Sequence, residues 1–153
     1  MNGHCICGAV TFRLTNTPLF VNCCHCTWCQ RETGTSFALN VAIETDCIEV
    51  AGPVEETIIP SASGKGQIMV RCPTCKVVLY SHYAGAGRLM AFVRAGTLTT
   101  PIGPDIHIYT STKHPWVILD TSVPVLPDDY DRKDYWPEAS LQRRKAALAR
   151  ATP

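Results

Sequence analysis

The sequence predicts a mainly β protein with one helix near its end, and three observations carry that reading. Apolar and polar residues alternate with period two in several short segments, Gly and Pro residues punctuate those segments, and one late stretch carries the chemistry of a helix start. At 153 residues the chain suits a single domain, 1–153. A chain of this size buries roughly 68–70% of the surface its unfolded form exposes, so its core needs no covalent staples.

Residues 9–15 set Val10, Phe12 and Leu14 against Thr11, Arg13 and Thr15, the pattern of a half-buried strand. Residues 37–43 repeat it, with Phe37, Leu39, Val41 and Ile43 on one face. Further strands are predicted at 47–51, 67–72, 77–83, 89–95 and 105–110. Gly52-Pro53, the loop Ser61–Gly66, Gly85–Gly87 and Gly103-Pro104 separate them. Segment 120–136 holds Pro124, Pro127, Asp128, Asp129 and Asp131 and reads as an irregular wrap whose Tyr135 and Trp136 pack back on a sheet. The helix is predicted at about 138–150, with Pro137 in its first turn and Glu138 suited to the N-terminal dipole. Arg143, Arg144, Lys145 and Arg150 crowd its later turns and read as a solvated face. The core of the domain is expected at 3–117, with the wrap and helix at 118–153.

The formal net charge is +1, too small for the uniform field that recruits nucleic acid or an anionic membrane, so neither is an expected partner. The longest apolar runs are too short for a bilayer. The start Met1-Asn-Gly-His-Cys lacks the basic and apolar regions of a secretory signal, and a cytoplasmic, reducing setting is expected. The nine cysteines, an odd number, then read as metal ligands or core thiols rather than disulfides.

Their spacing carries the chemistry. Cys5-x-Cys7 and Cys72-x-x-Cys75 are two pairs, and four thiolates suit a closed, tetrahedral structural zinc. On an extended strand positions 5 and 7 project to one side, so the first pair can complete a site with the second. A triplet is left: Cys24-x-Cys26-x-x-Cys29. Three protein ligands leave a fourth position open, as catalytic zinc sites do. His25, between two ligands, points the other way on an extended backbone; a distant histidine closing the site is the alternative. Three thiolates make zinc a weak Lewis acid but a good holder of an exogenous thiolate, which points to presentation of a sulfur nucleophile rather than to hydrolysis. Cys23 and Cys47 read as buried thiols. Arg31, next to the triplet, Lys65, in the glycine-rich loop, and His107, facing away from Ile106 and Ile108, are candidate substrate contacts; a surface ion pair, a plain hairpin and a structural histidine are their other readings.

Gly3-His4-Cys5-Ile6-Cys7-Gly8, Cys24-His25-Cys26-Thr27-Trp28-Cys29-Gln30-Arg31, Thr33-Gly34-Thr35-Ser36, Ser63-Gly64-Lys65-Gly66, Arg71-Cys72-Pro73-Thr74-Cys75, Asp105–Tyr109 and Pro115-Trp116 together resemble the glutathione-dependent formaldehyde-activating enzyme family, which shares its domain with centromere protein V. The stretch 81–87 looks like the fungal branch. The resemblance implies a zinc-pinned β-tent of packed antiparallel sheets, a structural zinc on Cys5, Cys7, Cys72 and Cys75, and a catalytic zinc on Cys24, Cys26 and Cys29. It also implies glutathione as co-substrate and a carbon–sulfur lyase reaction that yields S-hydroxymethylglutathione from formaldehyde. Two alternatives stay open: a non-catalytic zinc scaffold that binds a protein or small thiol, and an enzyme of the same fold, serving fungal secondary metabolism, that acts on another substrate. A homo-oligomer is among the assemblies the sequence allows.

Overall fold

The computed structural model describes residues 1–150. Its strands are β1 (Asn2–His4), β2 (Thr11–Leu14), β3 (Phe20–Cys24), β4 (Ala38–Glu44), β5 (Ile48–Ala51), β6 (Glu55–Ile59), β7 (Gln67–Arg71), β8 (Val78–Tyr83), β9 (Met90–Arg94) and β10 (Ile106–Ile108). Its helices are α1 (Thr27–Thr33), α2 (Arg132–Tyr135) and α3 (Glu138–Ala149). The fold is mainly β, with two sheets and a C-terminal helix, as the sequence predicts.

One sheet has three strands, in the order β1-β2-β5, and the other has seven, in the order β10-β3-β4-β9-β8-β7-β6. Every pairing is antiparallel except β10 with β3, which run parallel. The small sheet covers one face of the large one. Phe12 and Leu14 from β2 meet Val21, Val41, Ile43, Ala91 and Val93 there, all buried. Gly3 permits the close packing of β1 on β2, because a Cβ at that position would lie 2.2 Å from the Phe12 ring. On the opposite face Phe20, Ala42, Met90, Ile106 and Ile108 form a second core with Trp136 and Ala147 from the C-terminal segment. The large sheet is therefore sandwiched, and its central strands are buried on both faces.

That double burial corrects the one-faced alternation expected at 37–43. Val41 and Ile43 are buried, but so are Ala38, Asn40, Ala42 and Glu44, while Phe37 lies exposed before the strand begins. It also explains a strand absent from the sequence reading; a second absent strand has a different cause. Phe20–Cys24 is buried at every position and shows no alternation, as a strand covered on both faces should. Glu55–Ile59 is a sheet edge with half-buried ends and an exposed centre, where charge is tolerated.

The wrap is as expected in part. Trp136 is buried and stacks on Phe20 with ring centroids 5.4 Å apart, and Tyr135 packs edge-on to Tyr130 at 5.3 Å. The wrap also contains the short helix α2, capped by the Asp131 side chain on the Lys133 N–H. Helix α3 starts after Pro137, which serves as its N-cap. Its basic residues are not all solvated: Arg143 grips the buried Glu44 through Nε and Nη2 at 2.9 and 2.7 Å and donates to the Thr17 carbonyl. Arg143 thereby ties the helix to β4. No helix among the described residues is long and apolar enough to cross a membrane.

Candidate thiol site and metal centres

The two sequence pairs meet at one end of the sandwich. The Sγ atoms of Cys5, Cys7, Cys72 and Cys75 all lie within 4.8 Å of one another, with Cys5–Cys7 at 3.5 Å and Cys7–Cys72 at 3.7 Å. Tetrahedral ligation with zinc–sulfur bonds of about 2.3 Å separates sulfurs by roughly 3.8 Å, so this thiol set fits such an ion. The pairs sit on matching turns. Cys5 begins a tight turn rather than continuing a strand, which corrects the sequence expectation: the Gly8 N–H donates to the Cys5 carbonyl at 3.2 Å and Gly8 has φ +75°. At the other pair the Lys76 N–H donates to the Cys72 carbonyl at 3.0 Å, and Lys76 has φ +62°. In both turns the residue after the second cysteine is left-handed. The Val10 N–H donates to Cys5 Sγ at 3.3 Å, a contact that favours the thiolate.

The triplet stands where β3 ends and α1 begins. Cys24 closes β3, and Cys26 is the N-cap of α1, accepting from the Cys29 N–H at 3.3 Å. That cap curls the chain so that Cys24, Cys26 and Cys29 bring three thiols within 4.8 Å of one another. Among the described residues no fourth Cys, His, Asp or Glu joins them. Hydrogen bonds from the Cys24 and Cys29 thiols pull Cys26 well below its ordinary value, while sharing with Cys26 pushes Cys24 up to about 12, and sharing with Cys24 and then Cys26 pushes Cys29 higher still. Three thiols so crowded compete for one negative charge, the electrostatic state a cation relieves.

His25 points to the other face, as its position between two ligands predicts. There its Nε2 lies 3.1 Å from His107 Nδ1 and 3.5 Å from Cys23 Sγ, all three residues buried. Burial holds His25 at about 4 and lowers His107, so both are neutral at pH 7. Cys23 is buried as expected, whereas Cys47 is only half-buried against the first core.

The three triplet cysteines line a cavity of about 420 Å³ between the large sheet, the Ser61–Lys65 loop and the C-terminal wrap. Its aromatic walls are Trp28, Tyr83, Phe92, Tyr109, Tyr130 and Trp136. Tyr109 is held at φ +55°, a conformation that a large side chain adopts only when its surroundings impose it. Of the three candidate substrate contacts, Lys65 lines the cavity. Arg31 projects into solvent from the last turn of α1, and His107 lies across the sheet against His25. The cavity also holds residues the sequence reading did not single out: Arg132 and Asp129 from the wrap, and Asn22 and Asn40 from β3 and β4. The asparagines were hidden among apolar strand residues. Asp129 was read only as part of an irregular segment and Arg132 not at all.

A β sandwich with one closed thiol cluster, and a second at the floor of an aromatic cavity, defines a thiol-rich domain built to take up a small ligand. The chain belongs to the glutathione-dependent formaldehyde-activating enzyme family, whose model matches residues 1–112. A solved protein from Rhodobacter sphaeroides is similar in fold, with a TM-score of 0.51 at 20% identity, covering 82% of this chain and 99% of that one. No curated protein matches the chain. The matched region ends before residue 129, so Asp129, Tyr130, Arg132 and Trp136 belong to a segment the family model does not cover.

Proposed function

We propose that this protein joins a thiol to a carbonyl carbon in the cavity over Cys24, Cys26 and Cys29, with glutathione as the thiol and formaldehyde as the carbonyl. The reaction is formally that of a carbon–sulfur lyase, run toward S-hydroxymethylglutathione. The observation that carries the reading is a three-thiol cluster with no fourth protein ligand, set in the floor of a cavity sized for a peptide-like molecule.

Two zinc ions fit the two cysteine sets, one held by Cys5, Cys7, Cys72 and Cys75 and one by Cys24, Cys26 and Cys29. Bound at the triplet, zinc would keep an incoming thiol as an electron-rich thiolate at neutral pH. The chain's own residues bind and orient the rest of that thiol. Glutathione carries two carboxylates and one ammonium; Lys65 and Arg132 match the first, and Asp129 matches the second. None of the three is engaged in an ion pair among the described residues, and the Arg132 guanidinium rests over the Trp136 ring, 5.9 Å from its centroid. Trp28 and Trp136 shield the reacting atoms from bulk water. A cytoplasmic setting, where glutathione is abundant and thiols stay reduced, suits this chemistry.

The test is zinc content per chain with and without glutathione, together with X-ray absorption at the zinc edge. Two zincs, one of which gains a sulfur ligand on adding glutathione, are expected. Two zincs, both already four-coordinate by protein and indifferent to glutathione, would replace the enzyme with a zinc scaffold.

A further inference from the structure

Asn22 and Asn40 face each other across the antiparallel pair β3–β4. Both are nearly buried, 8% and 4% exposed, and both line the cavity with the triplet. Carboxamides in such a place are costly unless their polar atoms are used. Their oxygens are. The Trp136 indole N–H, which can only donate, reaches Tyr130 Oη at 2.8 Å, and the Tyr130 hydroxyl then donates to Asn22 Oδ1 at 2.6 Å. Arg94, another pure donor, donates to Asn40 Oδ1 and is itself held by the part-buried pair with Glu32. The two networks fix which end of each amide is oxygen. They leave both NH₂ groups with no hydrogen-bond partner among the described residues, and neither nitrogen is sealed from solvent. Two residues with unspent amide donors thus line one cavity, on the same face of the sheet as Cys24.

From this we infer that the Asn22 and Asn40 amides form a donor pair that binds the carbonyl oxygen of the electrophile and stabilises the alkoxide formed when sulfur adds. The inference rests on the reading above that a thiol adds to a carbonyl here. Asn22 lies one same-face step from Cys24 along β3, about 7 Å on an extended strand. A sulfur–carbon–oxygen unit plus one hydrogen bond of about 2.9 Å covers a comparable span. In the step, a thiolate lone pair forms the carbon–sulfur bond and the carbonyl π pair moves onto oxygen. The two amides hydrogen-bond that oxyanion until it takes from water the proton the thiol released on ionising. Donors preset by the fold reorganise little as the charge develops. Arg94 is a positioning residue, because it holds the Asn40 amide without lining the cavity, while Tyr130 holds the Asn22 amide from the cavity wall.

The measurement is exchange between formaldehyde and S-hydroxymethylglutathione on the zinc-loaded protein, followed by magnetisation-transfer NMR with ¹³C-formaldehyde. Glutathione binding is measured in parallel by calorimetry. Asn22→Asp and Asn40→Asp keep the oxygens that Tyr130 and Arg94 grip, so the fold is retained, but remove the donors. Each should lower kcat/KM by about 10²-fold, on the scale of losing one oxyanion donor. Asn22→Leu and Asn40→Leu, which add no charge, should lose activity likewise, with glutathione affinity unchanged in folded protein. Tyr130→Phe should lower kcat several-fold without changing the KM for glutathione. Leucine variants as active as wild type would overturn the inference, and so would variants whose entire loss traces to weaker glutathione binding. Wild-type protein that binds glutathione yet leaves exchange at the spontaneous rate would instead overturn the carbonyl-addition reading beneath it.

Discussion

The two cysteine clusters use the same ligand type in opposite ways. Cys5, Cys7, Cys72 and Cys75 come from two matching turns far apart in sequence, so a metal held there staples the small sheet to the β7–β8 turn of the large one. Cys24, Cys26 and Cys29 come from one strand-to-helix junction within six residues and staple nothing distant. One cluster is closed by four thiols and the other stops at three, at the floor of a cavity. The difference separates stability from chemistry: the first cluster carries long-range connectivity, while the second carries an open position.

The largest effect that tests this division is at the closed cluster. Cys72→Ser removes a fully buried ligand, and structural zinc binding contributes on the order of 10 kcal/mol of folding free energy. The variant should lose its cooperative thermal transition and near-ultraviolet circular dichroism. Cys26→Ser should keep both, with stability within about 2 kcal/mol of wild type. Its activity should fall to background, because the thiol is no longer held. Equal unfolding of the two variants would abolish the distinction between the clusters. A graded chelator titration probes it without mutation: the three-ligand site should release its metal first, with activity lost while the fold persists, and the four-ligand site should follow with unfolding.

A smaller effect concerns the cavity rim. Arg132→Ala and Lys65→Ala should each raise the KM for glutathione about tenfold, roughly 1.4 kcal/mol, with kcat little changed. Arg31→Ala, on the solvated side of α1, should change neither parameter. A large KM effect from Arg31 alone would move the binding site off the cavity.

The contrast also explains what was legible in the sequence. Seven cysteines announced both clusters because ligand spacing is a local property, and the face that His107 presents was readable because strand alternation is local too. The C-terminal helix declared itself through Pro137 and Glu138. The walls of the cavity did not, because long-range folding assembles them. Arg132 and Asp129 lie in a wrap without periodicity, and Asn22 sits in a strand whose double burial erases alternation. Helix α1 was missed because a cysteine, an unusual N-cap, starts it, and because its seven residues are too few to show a period. Arg143 read as solvated because its partner Glu44 lies ninety-nine residues away.

The smallest predicted effect is confined to the closed cluster. Gly8 and Lys76 occupy equivalent left-handed positions after Cys7 and Cys75, but only one is glycine. A Cβ at Gly8 would meet nothing within 4 Å, so Gly8→Ala costs only the left-handed conformation, about 1 kcal/mol. Lys76 already bears that cost, and its exposed pair with Glu55 at 2.9 Å offsets little of it. Gly8→Ala should therefore lower the melting temperature by a few degrees, and Lys76→Gly should raise it slightly. Neither should alter kcat or KM, since both residues lie in turns of the closed cluster and neither lines the cavity. A change in catalysis from either would mean that the two clusters are mechanically coupled through the large sheet, and that the division of labour between them is incomplete.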